Sequence, residues 1–161
     1  MTNETSWSLA AKHMACLKEL LIEAIALLKG HKEMRTEQNE KNASYCGKRI
    51  PEDGLIDWKD SADFVWTLIR AVSKPYPGAF TFCRDEKVVI WEADYIGDAP
   101  YWGIPGQIQE FSHSGAIVTC GDGKHILVRL VETANSGPVK PQDRFKKHDR
   151  LGINILNLVK K

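Results

Sequence analysis

The spacing of apolar residues changes once along this chain, at Pro75-Tyr76-Pro77-Gly78. Upstream of that punctuation, apolar side chains return every three or four residues, as they do on one face of a helix. Downstream, short apolar runs are separated by turn residues, as in antiparallel strands. Helices first and strands afterwards predict an α+β fold, not the alternating order of a parallel α/β sheet.

Two helices are expected. In the first, over residues 6–29, Leu9, His13, Cys16, Leu17, Leu20, Leu21, Ala24, Ile25 and Leu28 form one stripe. Thr5 or Ser6 can cap its start, and Gly30 stands where a left-handed C-cap is expected. In the second, Ala62, Val65, Trp66, Ile69 and Val72 make the buried face, Asp60 or Ser61 caps the start, and Pro75 and Pro77 end it. Asp57-Trp58 is expected to lead into this helix, with the indole plugging its end. Residues 31–48 turn polar and read as a connector. Beyond Gly78 the expected strands are 79–83, 87–96, 107–112, 116–120 and 125–133. Arg84-Asp85-Glu86, Ser114-Gly115 and Gly121-Asp122-Gly123 supply the turns. Five short antiparallel strands can close into a small barrel, which leaves no exposed edge.

Charge and cysteine usage narrow the classes of function. A net charge of +1 neither requires nor excludes a polyanionic partner. Positive charge is concentrated between Lys140 and Lys161, where seven Lys or Arg face Asp143 and Asp149. Within that stretch Lys146 and Lys147 are the candidate phosphate contacts. Cys16, Cys46, Cys83 and Cys120 are too far apart for a zinc pair, so they read as reduced packing residues, with Cys46 the one expected at the surface. No residue set with metal-ligand spacing, nucleophile elbow or Gly-rich phosphate loop is present. No apolar run approaches the ~20 residues of a membrane span. Met1-Thr2-Asn3-Glu4-Thr5 is unlike a signal peptide. A cytoplasmic chain without a membrane partner is expected.

The most informative residues run from Arg49 to Trp58: Arg49-Ile50-Pro51-Glu52-Asp53-Gly54-Leu55-Ile56-Asp57-Trp58. Ile69-Arg70-Ala71 and Pro75-Tyr76-Pro77-Gly78-Ala79-Phe80-Thr81 follow, and then Lys87-Val88-Val89-Ile90-Trp91, Pro105-Gly106-Gln107-Ile108 and Cys120-Gly121-Asp122-Gly123. In this order the series resembles the C-terminal domain of the methionyl-tRNA formyltransferase superfamily. The likeness is greatest to its sugar-nucleotide branch, which includes the formyltransferase acting on UDP-4-amino-arabinose.

That resemblance implies an N-terminal connecting helix, a second helix and a five-stranded antiparallel OB-like barrel. It divides the chain into a helix at 1–30 belonging to the edge of a catalytic domain, a linker at 31–48 and the OB-like domain at 49–161. It implies that 10-formyltetrahydrofolate and the Asn–His–Asp chemistry belong to that other domain, because no Ser-Leu-Leu-Pro and no Asn-x-His occurs here. No catalytic residue, no metal and no bound cofactor is therefore expected in this chain.

The loop with Arg49, Pro51, Asp53, Asp57 and Trp58 is expected to face the substrate side or the other domain, with Arg49 pairing to Asp53 or Asp57. Arg70, Pro75, Tyr76, Pro77 and Gly78 are expected to shape the structural motif beneath it. The function implied is that of a substrate-side accessory domain of a formyltransferase acting on an amine, in particular an amino-sugar nucleotide. The competing expectation is a standalone OB-like module that binds tRNA, with a third, a scaffold docked on a catalytic partner, behind it. The helix at 6–29 is longer than a small barrel can cover, so it is expected to associate with itself when alone.

Overall fold

The computed structural model describes residues 4–32 and 35–152. Helix α1 spans Ser6–Lys29 and helix α2 spans Ala62–Ala71. Six strands follow: β1 Ala79–Cys83, β2 Glu86–Gly97, β3 Ile108–Ser112, β4 Gly115–Thr119, β5 His125–Thr133 and β6 Ser136–Val139. The class is α+β, as the single change of period requires.

Helix α1 begins with a reciprocal cap. The Thr5 amide donates to the Ser8 hydroxyl at 2.9 Å, and the Ser8 amide donates to the Thr5 side chain at 3.2 Å. Its far end corrects an expectation. Gly30 has φ −89°, and the left-handed residue is His31 at +50°. The Lys32 amide donates to the Leu27 carbonyl at 3.0 Å and the His31 amide to the Leu28 carbonyl at 3.2 Å, so the reversal comes one residue later than the glycine suggested. No residue of α1 is buried. Cys16, expected to pack, is exposed for that reason. The connector 35–48 is likewise exposed almost throughout and holds only a short 3₁₀ turn at Glu40–Asn42.

Helix α2 is anchored at its start and along its buried face. Its first turn is capped by Ser61, and the Ala62 amide also donates to Asp122 Oδ1 from the β4–β5 turn, both at 3.2 Å. Ala62, Val65, Trp66, Leu68 and Ile69 are buried, while Phe64 faces out. Trp66 donates its indole N–H to the Ala93 carbonyl at 3.0 Å, which fixes the helix against β2. The core beneath includes Ile69, Ile90, Ile108, Val118, Ile126, Val128 and Val131, each fully buried. Each such side chain stabilises by roughly 1.5–3 kcal/mol through burial alone.

All strand pairs are antiparallel, in the order β1-β2-β5-β4-β3. The expected number of strands is corrected from five to six. β6, Ser-Gly-Pro-Val, pairs with the end of β5 and carries too little alternating apolar character to be read as a strand. The segment 148–152 runs between β1 and β3, the two ends of the strand order. The His148 amide donates to the Ile108 carbonyl at 2.9 Å and the Ile108 amide to the Asp149 carbonyl at 3.0 Å. The Leu151 amide donates to Gly106 and the Gly152 amide to Phe82, both at 2.7 Å. Among the described residues no helix is long and apolar enough to cross a membrane.

Candidate functional site

The loop from Arg49 to Trp58 is organised by its own acids. Asp53 accepts the Ile50 amide at 2.8 Å, closing a 3₁₀ turn over Pro51–Gly54. Asp57 accepts the Lys59 amide at 2.9 Å. Both carboxylates thus serve the backbone, and among the described residues neither forms an ion pair with Arg49. The expected pairing is corrected accordingly. The loop then joins the sheet: the Ile56 amide donates to the Phe80 carbonyl at 2.8 Å beside a parallel bridge between Leu55 and Phe80. Trp58 is buried and donates its indole N–H to Thr81 Oγ1 at 2.9 Å. It therefore plugs the sheet rather than the helix end, since α2 starts only at Ala62.

The second loop, Pro75–Gly78, is closed by the Gly78 amide on the Val72 carbonyl at 2.9 Å. Gly78 has φ +86°, and a β-carbon there would lie 2.5 Å from Val89 Cγ1 and 2.9 Å from Trp91 Cζ3. Only glycine meets both demands. The Gly78 carbonyl in turn abuts Gly54, so the two loops touch through glycines with nothing between them.

Where the loops meet, they form a groove of about 500 Å³. It brings together six residues singled out by the sequence: Arg49, Pro51, Asp53, Tyr76, Pro77 and Gly78. Asp57, Trp58, Arg70 and Pro75 do not line it. Ile50 and Gly54 of the same loop do, and so do Ser6, Ala71 and Val72, to which sequence reasoning had given no place in the site. Ile50 and Tyr76 remain more than half exposed, so the groove has an apolar rim around one guanidinium and one carboxylate. Arg70 acts behind the groove. Its guanidinium lies 3.6 Å over the Trp66 ring and donates to the Glu4 carbonyl at 3.0 Å, which brings the start of α1, and with it Ser6, to the groove wall.

Two cations of the basic stretch near the C-terminus are paired locally. Lys147 bonds Glu110, Arg144 bonds Glu86, and Asp149 accepts from Arg84 at 2.9 Å. Lys147 and Arg144 each hold the partner carboxyl below its ordinary value. Lys146 is exposed, with its amide on Asp149 Oδ2 at 2.9 Å. Lys160 and Lys161 lie outside the described residues. Among the described residues no cluster of His, Cys, Asp or Glu could hold a metal ion.

Comparison with known proteins agrees with this layout. The family model for the formyl transferase C-terminal domain matches residues 48–149. The bifunctional polymyxin resistance protein ArnA of Wigglesworthia glossinidia brevipalpis is 34% identical over 117 residues. That match covers 73% of this chain and 17% of the relative. Among solved structures, a variant of HypX from Aquifex aeolicus superimposes with a TM-score of 0.66 at 18% identity, over 91% of this chain and 27% of that one. HypX in complex with tetrahydrofolic acid gives 0.57 at 18% identity, over 84% and 26%. At such identities the likeness to HypX is one of fold. The chain spans 17% of the length of the curated relative and 27% of the first HypX chain.

Proposed function

Because the chain belongs to the formyl transferase C-terminal domain family, we propose that it is the substrate-side accessory domain of an enzyme that transfers a formyl group from 10-formyltetrahydrofolate to an amine. The observation that carries this reading is the groove at Arg49–Gly54 and Tyr76–Gly78, held by a glycine contact and bordered by the first turn of α1. In this reading residues 1–30 form the edge of a catalytic domain, 31–48 a linker and 49–161 the accessory domain. The hydrogen bonds of segment 148–152 to both ends of the strand order support reading that domain as an OB-like barrel.

The groove holds one guanidinium and one carboxylate, and no histidine among its lining residues. That set can orient an amine-bearing substrate but cannot move protons at a formyl carbon. Stabilising the oxyanion and accepting the amine proton belong to the catalytic domain. Arg49 is the residue that would meet a negatively charged part of the acceptor, and Asp53 keeps the loop in shape. An amino-sugar nucleotide fits better than tRNA, because two of the basic side chains near the C-terminus, Arg144 and Lys147, are engaged by Glu86 and Glu110. A catalytic domain is also the natural cover for the bare apolar face of α1.

The test is formyl transfer from 10-formyltetrahydrofolate to a panel of amino-sugar nucleotides, with the 161-residue chain alone and with it mixed with a separate catalytic domain. The expected result is turnover only when both are present. Turnover above the buffer rate by the chain alone would overturn the reading.

A further inference from the structure

A second concavity lies at a break in the sheet. β5 pairs with β4 over His125–Val128 and with β6 over Val131 and Thr133. Both pairings use the edge opposite β2, and between them Arg129 and Leu130 have no register partner on that edge. On the other side β2 is irregular at the same level. Glu92 pairs with Leu130 and Ala93 with Val128, which leaves Arg129 as the extra residue of a bulge. A bulge re-aims a side chain and interrupts the ladder. The interruption opens a cavity of about 340 Å³ lined by Glu92, His113, Ser114, Arg129, Leu130 and Lys140. Gly115 lets the β3–β4 hairpin reach it, since a β-carbon there would sit 2.0 Å from the Val128 carbonyl oxygen.

The chemistry of the lining selects a ligand. Arg129 gives one terminal nitrogen to Asp94 at 3.1 Å, and a guanidinium has further N–H donors to offer. Lys140 has no ion-pair partner among the described residues. With the Ser114 hydroxyl and the His113 imidazole, donors approach from three walls. Three walls of donors match the three terminal oxygens of a phosphate monoester better than the two of a carboxylate. Glu92 is the one carboxylate in the lining, so a ligand that also offers a donor next to its phosphate gains a contact there. We propose that this seam binds a phosphate monoester of a polyol, with the phosphate held by Arg129 and Lys140 and a neighbouring hydroxyl donated to Glu92. The proposal rests on the sheet alone and stands or falls independently of the formyltransferase reading.

The experiment is an amide NMR titration of the 161-residue chain with glycerol 3-phosphate, inorganic phosphate, glycerol, and a short oligouridylate lacking terminal phosphates. Glycerol 3-phosphate is expected to give saturable shifts at Ser114, Arg129 and Leu130 and to bind more tightly than inorganic phosphate. Lys140→Ala, at an exposed position, should keep the native spectrum and weaken binding by about fivefold or more. Glu92→Gln should erase the preference for glycerol 3-phosphate over inorganic phosphate. Absence of saturation at these amides, or unchanged affinity in a natively folded Lys140→Ala chain, would overturn the proposal. So would equal binding of both phosphates by the unsubstituted chain. Tighter binding of oligouridylate at the same amides would assign the seam to phosphodiesters instead.

Discussion

A β-carbon on Gly54 would stand 2.8 Å from the carbonyl oxygen of Gly78, so the two loops that make the groove are in contact through their backbones. Gly54→Ala forces them apart and should cost about 1–3 kcal/mol, the range for overpacking a tight site. Gly78→Ala adds a left-handed backbone to a collision with Val89 and should cost more than Gly54→Ala. Urea denaturation of both variants checks this. An unchanged midpoint for Gly78→Ala would contradict the description of the groove floor.

Trp58 and Thr81 form a buried hydrogen bond between the loop that starts at Arg49 and β1. Trp58→Phe leaves the Thr81 hydroxyl without its donor and should destabilise the domain by about 1–3 kcal/mol. Thr81→Val in the Trp58→Phe background should then cost less than it does alone, because no donor remains to be stranded. A double-mutant cycle measures the coupling. Additive losses would show that the bond contributes nothing beyond the packing of the indole.

Helix α1 should be separable from the stability of the domain. Leu17 is 65% exposed and Leu21 58%, and neither packs against the sheet. Leu17→Glu combined with Leu21→Glu should therefore shift the thermal midpoint of the sheet by no more than a degree or two, since surface changes stay within about 0.5 kcal/mol. The same pair should abolish self-association of the isolated chain, which exposed apolar stripes otherwise favour. Sedimentation of both forms decides the matter. A large fall in the midpoint would mean that α1 is folded onto the domain.

Cys120 is a buried thiol held in its protonated form. Burial first, then Asp122, pushes its pKa from 9.0 up to about 12. At pH 8 its thiolate fraction is then on the order of 10⁻⁴, and the thiolate is the reactive form. Native alkylation at pH 8 should label Cys16 and Cys46, both exposed, and spare Cys120 and the buried Cys83, whose pKa is also raised by burial. The preference of folded Cys120 for its proton stabilises the fold in full below pH 9.0 and is lost as the pH rises towards about 12. Rapid labelling of Cys120 in the folded chain would contradict this.

Much of the architecture was legible because apolar spacing reports it directly. The stripe Ala62, Val65, Trp66 and Ile69 and the strands around Ile90, Ile108 and Ile126 reappear where their periods placed them. β6 was not legible, because Gly137 and Pro138 read as loop and its pairing depends on β5. The fully buried His125 was read only as part of a strand, and nothing in its neighbours signals burial. Half of the groove was visible as a motif. Among the rest is Ser6, more than forty residues before the loop it faces and placed by the bond from Arg70 to Glu4. Contacts of that reach follow from the fold and leave no local pattern.

The central claim is that the groove around Arg49 serves formyl transfer to an amine. The direct measurement replaces the matching C-terminal domain of ArnA with residues 48–161, which retain the 148–152 segment, and compares steady-state formyl transfer with Arg49 intact and with Arg49→Ala. The account predicts an active chimera in which Arg49→Ala raises KM for the amine acceptor about tenfold, the equivalent of one charge-assisted contact, while the thermal midpoint stays unchanged. An active chimera whose kcat and KM are both indifferent to Arg49→Ala would show that the groove takes no part in handling the acceptor.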